Sequence, residues 1–233
     1  MKRSEINEIM AEADKFIRSF GFILPPFAYW TPDEMKARRA EIDNVVDAML
    51  GWDITDYGQG KFDDLGLFLF TVRNGRQADL KRGGGMCYAE KIMISRENQI
   101  SPMHRHWLKA EDIINRGGAM LAIELYGAAE DGAFDANAGG TVYCDGIRRD
   151  FAPGDVLMLA PGESVTLMPG DWHAFWGEGG DVLIGEVSTV NDDAKDNWFR
   201  DPIGRFADIE EDVAPSHLLA SDYGRVLSVF GER

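Results

Sequence analysis

Over roughly the first fifty residues, apolar positions recur at helical spacing. Ile6, Ile9, Met10, Ala13, Phe16, Ile17 and Phe20 share one face of a predicted helix, with Ser4 placed to cap it and Gly21 to end it. Leu24-Pro25-Pro26-Phe27 reads as extended, because a residue before proline is pushed out of α space. Thr31-Pro32-Asp33-Glu34 predicts a second helix start. Thr31 is its N-cap, Pro32 its first helical residue, and Glu34 closes a capping box. Ile42, Val45, Val46 and Met49 continue that helix on one face.

After about Gly58 the period shortens and glycine turns appear. Leu67–Val72 reads as a strand followed by a hairpin-type Asn74-Gly75 turn. Further strands are predicted at Ala119–Leu125, Thr141–Cys144, Ile147–Phe151, Val156–Leu159, Val165–Met168, His173–Trp176 and Val182–Val187. Asp145-Gly146 is a tight turn between two of them. Short strands at this spacing must pair or close to bury an apolar face, which predicts a sandwich or small barrel with the helices packed outside.

The chain has 233 residues and no repeat, linker or low-complexity tract, so a single domain is expected. With 24 Lys+Arg against 40 Asp+Glu the formal charge is −16. Such a surface disfavours nucleic acid and anionic membranes as partners. The opening MKRSEINEIMAEADKF is charged throughout and lacks the apolar core of a secretory signal. Cys87 and Cys144 are the only cysteines and are expected to be reduced. The expectation is a cytoplasmic protein.

Chemistry concentrates around three of the four histidines. His104 and His106 stand at i and i+2, so a strand would project both imidazoles from one face. Glu111 follows a short loop and offers a carboxylate oxygen; Gly118 comes next. Pro169-Gly170-Asp171-Trp172-His173 delivers a third imidazole from a turn. Either motif alone is weak, since a lone His-x-His is often two surface histidines. Together they match the two signatures of the cupin superfamily, His-x-His-x4-Glu-x6-Gly and, about sixty residues later, Pro-Gly-x-x-His. The second departs slightly, with proline and glycine adjacent. The ligand set His104, His106, Glu111 and His173 suits one divalent ion (Mn, Fe, Co, Ni or Zn) without choosing among them. The fold expected from this resemblance is mostly β: a cupin (double-stranded β-helix, or jelly-roll) barrel over 58–200, a helical extension over 1–57, and a tail over 201–233 completing the site.

Longer stretches narrow the resemblance. The segments MKRSEIN, LPPFAYWTPDE, HWLKAEDIINRGG, VSTVNDD and IGRFADIEED are similar to the D-lyxose isomerase family over nearly the whole chain. That resemblance implies interconversion of D-lyxose and D-xylulose, with D-mannose and D-fructose as secondary substrates, a divalent metal (typically Mn²⁺, with Co²⁺, Fe²⁺ or Zn²⁺ as alternatives) and a homodimer. It also implies a lysine near the first signature, for which Lys109 is the candidate proton carrier. Strand parity alone would point Lys109 away from His104 and His106 unless the loop bends. For the base, the family's acidic tail segment suggests Glu210 or Glu211, and Glu211 shares the parity of Arg205. Lys91, Asp192 and Arg205 are candidates to hydrogen-bond sugar hydroxyls. Trp172, Phe175 and Trp176 read as core, with one available to stack on a sugar face. Gly83-Gly84-Gly85 lacks the residues of a phosphate loop. An iron-dependent cupin dioxygenase and a non-catalytic sugar-binding or sensor cupin remain as alternatives, since a fold does not dictate its function.

Overall fold

The computed structural model describes residues 1–227, so positions 228–233 of the expected tail lie outside the described residues. Helix α1 (Arg3–Ser19) carries Ile6, Met10, Ala13 and Ile17 as its buried stripe. Its N-cap is Lys2 rather than Ser4, because Ser4 Oγ donates to Asp212 and its N–H is satisfied by the same carboxylate. Gly21, at φ 77°, follows the helix as expected. Pro25 is extended, but Pro26–Tyr29 closes a turn of 3-10 helix. The Thr31 capping box starts α2 (Pro32–Ala37) as the sequence predicts. That helix does not continue: the chain turns at Arg38–Ile42, and α3 (Asp43–Asp47) is a separate short helix.

Strands follow in a mostly antiparallel array. They are β1 (Gly51–Thr55), β2 (Leu67–Asn74), β3 (Tyr88–Ser95), β4 (Ser101–His106) and β5 (Glu111–Tyr126), with a short helix α4 (Gln77–Arg82) between β2 and β3. After these come β6 (Gly140–Cys144), β7 (Ile147–Phe151), β8 (Asp155–Leu159), β9 (Ser164–Leu167), β10 (Trp172–Thr189) and β11 (Asn197–Phe199). Thus β1 begins inside the segment expected to be helical. Asn74-Gly75 is not a two-residue hairpin turn, because α4 intervenes before β3 returns to pair Ala89 with Asn74. The two predicted strands around Trp176 and Val182 are one long β10, which pairs with β3, β4 and β5.

This is the cupin-like barrel with an outer helix, and alternation along β1, β2 and β3 explains its two cores. Leu67, Leu69 and Met93 point into the barrel with Ile113, Leu121, Ile123 and Ile184. Trp52, Ile54, Phe68, Phe70, Ile92 and Ile94 point outward and are covered by Ile6, Met10 and Ile17 of α1. Each such buried aliphatic side chain contributes about 1.5–3 kcal/mol, so helix and sheet need each other to hide their apolar faces. Gly118 of the first signature has a structural reason: at φ 98°, a Cβ there would stand 2.3 Å from the Asp181 carbonyl oxygen of β10. No described helix is long and apolar enough to cross a membrane. Both cysteines are free.

Candidate metal centre and active site

His104 and His106 share the inner face of β4, and His173 at the start of β10 pairs directly with His104. Their ligating nitrogens lie within 4.8 Å of one another. Each Nδ1 meets a backbone carbonyl: Pro102 at 2.8 Å, Asp196 at 3.1 Å and Asp171 at 3.1 Å. A carbonyl only accepts, so each Nδ1 carries the proton and each Nε2 turns a lone pair inward. Glu111 Oε1 is 3.2 Å from both His106 Nε2 and His173 Nε2. With the imidazole protons on Nδ1, these are lone pairs facing lone pairs. Glu111 Oε1 and His173 Nε2 accordingly stand buried without a hydrogen-bond partner among the described residues. A cation between them resolves that repulsion, so the residues fit a divalent metal.

The electrostatics agree. Burial, then the neighbouring His173 and His106, push the His104 imidazole well below its ordinary pKa; burial and the Lys109 ammonium also lower that of His106. Both are therefore neutral at neutral pH, the form in which an imidazole can hold a metal ion. Burial alone would raise the Glu111 carboxyl, but Lys109 and His106 outweigh it and hold it well below the carboxylate range. No thiolate joins the group, unlike most structural zinc sites.

Beside these four side chains lies a cavity of about 40 Å³ lined by Tyr57, Lys91, Lys109, Glu186, Asp193 and Arg205 among others. Lys109 is not a solvated turn residue. It is 3% exposed, and its Nζ lies 2.7 Å from Glu111 Oε2 and 2.9 Å from Glu186 Oε1. Burial would lower its pKa, yet Glu111, Glu186 and Asp193 outweigh burial and hold it above the lysine range, as an ammonium. Lys91 pairs in register with Glu186, and its Nζ donates to Asn191 Oδ1 at 2.8 Å and Asp193 Oδ1 at 3.2 Å. Arg205 donates to Asp53 at 2.7 Å and lies 3.5 Å from Asp193. Tyr57, pushed up to about 12 by burial, stays protonated and meets Ser101 Oγ at 3.1 Å. Phe175 lines the cavity, whereas Trp172 packs outside the barrel with Tyr126 and Phe134.

Three expected site residues are elsewhere. Glu211 binds Arg3 through Nε at 2.9 Å and Nη2 at 2.8 Å, and also receives Arg225. Its role is to tie the tail to α1. Glu210 is exposed and pairs through its backbone with the start of α1, accepting from the Arg3 N–H. Asp192 lines a separate 260 Å³ hollow, and its neighbour Asp193 takes the position facing the chamber.

Glu186 was not singled out from the sequence. A signal existed: Val182, Ile184 and Glu186 alternate on one face, so a carboxylate occupies a core register.

The D-lyxose isomerase family profile matches residues 1–223. A D-lyxose/D-mannose isomerase of Serratia proteamaculans is 48% identical over 98% of this chain and 100% of its own. One from Escherichia coli O157:H7 is 45% identical over 96% of this chain and 98% of its own. Among solved structures, the L-ribose isomerase of Acinetobacter sp. DL28 in complex with L-ribose superposes with a TM-score of 0.61 at 14% identity. It covers 90% of this chain and 98% of that one, a likeness of fold. A buried three-histidine centre in a cupin-like barrel, with a full-length profile match and two relatives above 40% identity, places this chain in the D-lyxose isomerase family of sugar isomerases.

Proposed function

We propose that the enzyme interconverts D-lyxose and D-xylulose, and secondarily D-mannose and D-fructose, with a divalent ion, Mn²⁺ first, held by His104, His106, Glu111 and His173. The observation that carries this reading is the convergence of three Nε2 lone pairs and Glu111 Oε1 beside a buried Lys109–Glu186 pair. The names of the two relatives support the substrates. The same reading has the enzyme act as a cytoplasmic homodimer; sedimentation tests the second part of it.

Aldose–ketose exchange removes a proton from the carbon beside a carbonyl, passes through an enediol and returns the proton to the neighbouring carbon. A bound divalent ion would polarise the substrate oxygens as a Lewis acid. The Glu186 carboxylate is the base of this proposal, taking the proton at Oε1 and returning it one carbon along. Lys109, held as an ammonium, serves as hydrogen-bond and proton donor to the oxygen that gains negative charge. This differs from a lysine with its pKa drawn toward neutral, because its three carboxylate neighbours act the other way. Lys91 and Arg205, both anchored to Asp193, orient hydroxyls at the far side. Tyr57 and Phe199 wall the chamber against water.

A proton NMR time course tests the reading. Metal-stripped protein is incubated in D₂O with D-lyxose, with and without Mn²⁺. Metal-dependent formation of D-xylulose is expected. If neither D-lyxose nor D-mannose reacts with Mn²⁺, Co²⁺ or Fe²⁺, the proposal fails.

A further inference from the structure

Strand parity would send Lys109 away from the metal ligands, yet it is 3% exposed while Trp107 and Leu108 before it are 44% and 58% exposed. The turn that achieves this is wrapped around one side chain. Asp196 Oδ1 accepts the N–H groups of Trp107 at 3.0 Å and Leu108 at 2.9 Å, and its Oδ2 accepts that of Lys109 at 2.9 Å. Three successive amides pointing at one carboxylate form an anion nest. The Asp196 backbone carbonyl meanwhile accepts the His106 Nδ1–H at 3.1 Å. Asp196 is 5% exposed, and its own N–H is tied to the Asp192 carbonyl at 2.9 Å. It immediately precedes β11, whose Asn197 and Phe199 line the chamber opposite His106 and His104.

We propose that Asp196 is the positioning residue of this active site. Its carboxylate bends the 106–109 turn so that Lys109 enters the chamber, and its carbonyl sets the His106 ring. The segment carrying β11 and the turn carrying Lys109 are thereby one unit. The catalytic consequence rests on the donor role given to Lys109 above, whereas the structural one does not. The two contacts are separable, because Asp196→Asn removes the carboxylate and keeps the backbone carbonyl.

The test compares Asp196→Asn, Lys109→Met and the double variant, all metal-loaded. An asparagine loses at least one of the three acceptor contacts, and its amide nitrogen would face an N–H. Asp196→Asn is expected to speed amide hydrogen exchange at 107–109 and to lower kcat by about 10–100-fold, with KM moved less than about 3-fold. Its Mn²⁺ affinity by titration calorimetry is expected to stay within about 3-fold of wild type, since the His106 tether persists. In the Lys109→Met background the same change is expected to add almost nothing to the loss. A full, additive loss there overturns the proposal. If Lys109→Met turns over normally, the donor role of Lys109 fails. Asp196 is then decided by exchange: faster exchange at 107–109 upholds the positioning role, and unchanged exchange overturns it. Asp196→Glu, which keeps the charge but sets it one methylene too far, serves with the same expectations if the asparagine variant does not fold.

Discussion

Lys109 Nζ lies 2.9 Å from Glu186 Oε1, and the two side chains are 2% and 4% exposed. An ammonium and a carboxylate so placed form a proton-donor and proton-acceptor pair whose shared surroundings exclude solvent. Glu186→Gln preserves the shape and the hydrogen bond to Lys109 while removing the base. The expected result is a loss of kcat of about 10²–10⁴. Metal affinity should be retained, and exchange of the substrate C2 proton with D₂O should be lost. Near-normal exchange in the variant would remove Glu186 from the mechanism.

Arg3 and Glu211 give a prediction of the opposite kind. Arg3 is fully buried and also donates to Asp222 at 3.1 and 2.9 Å. Arg3→Met leaves the buried Asp222 with only the exposed Arg225 as countercharge, at 3.0 Å, and is expected to cost about 3–5 kcal/mol in urea unfolding. Glu211→Gln, at a partly exposed carboxylate, is expected to cost about 1 kcal/mol or less and to leave turnover unchanged. A turnover loss on the scale of Glu186→Gln would return Glu211 to the candidate bases.

Removing the metal should act on both stability and activity. Dialysis against a chelator is expected to abolish isomerisation and lower Tm, and added Mn²⁺ to restore both. At a hundredfold excess over Kd, binding to the native state alone contributes about 2.7 kcal/mol. His173→Ala should fold but lose most of the Mn²⁺-dependent rise in Tm, measured by scanning calorimetry. An unchanged rise would place the ion elsewhere.

Asp193 predicts the acid limb of stability. Burial would raise its carboxyl, but Lys91, Arg205 and Lys109 outweigh burial and hold it well below the aspartate range. The native state therefore binds fewer protons at this site than the unfolded chain does at low pH. Its contribution is complete above the unfolded value of about 4 and is lost as pH falls through the lower folded value. In metal-free protein, Asp193→Asn is expected to flatten the fall of urea midpoint between about pH 4 and pH 2. An acid limb as steep as in wild type would contradict this assignment. Asp53, which shares Arg205, is shifted upward by burial, so its contribution has the opposite sign and declines as pH rises above the unfolded value.

The His104–His106 pair was legible in the sequence because its geometry is local. Residues at i and i+2 of a regular strand share a face whatever surrounds them, and the Thr31 capping box and the apolar stripe of α1 are equally local. Period-two reasoning failed where the strand stops being regular. In β10 the register against β5 shifts between Glu178 and Val182, so His173 and Phe175 point inward at odd positions but Val182, Ile184 and Glu186 at even ones. No parity count from His173 reaches Glu186 across that bulge. Lys109 points inward because Asp196, 87 residues later, bends its turn. Glu211 points away from the chamber because Arg3, 208 residues earlier, is buried beside it. By itself the sequence determined the barrel, the outer helix and the three-histidine cluster with Glu111 beside it. Which lysine and which carboxylates complete the chamber was decided by the tertiary structure, since buried charges are settled by partners from distant segments and a single bulge exchanges the faces of everything beyond it.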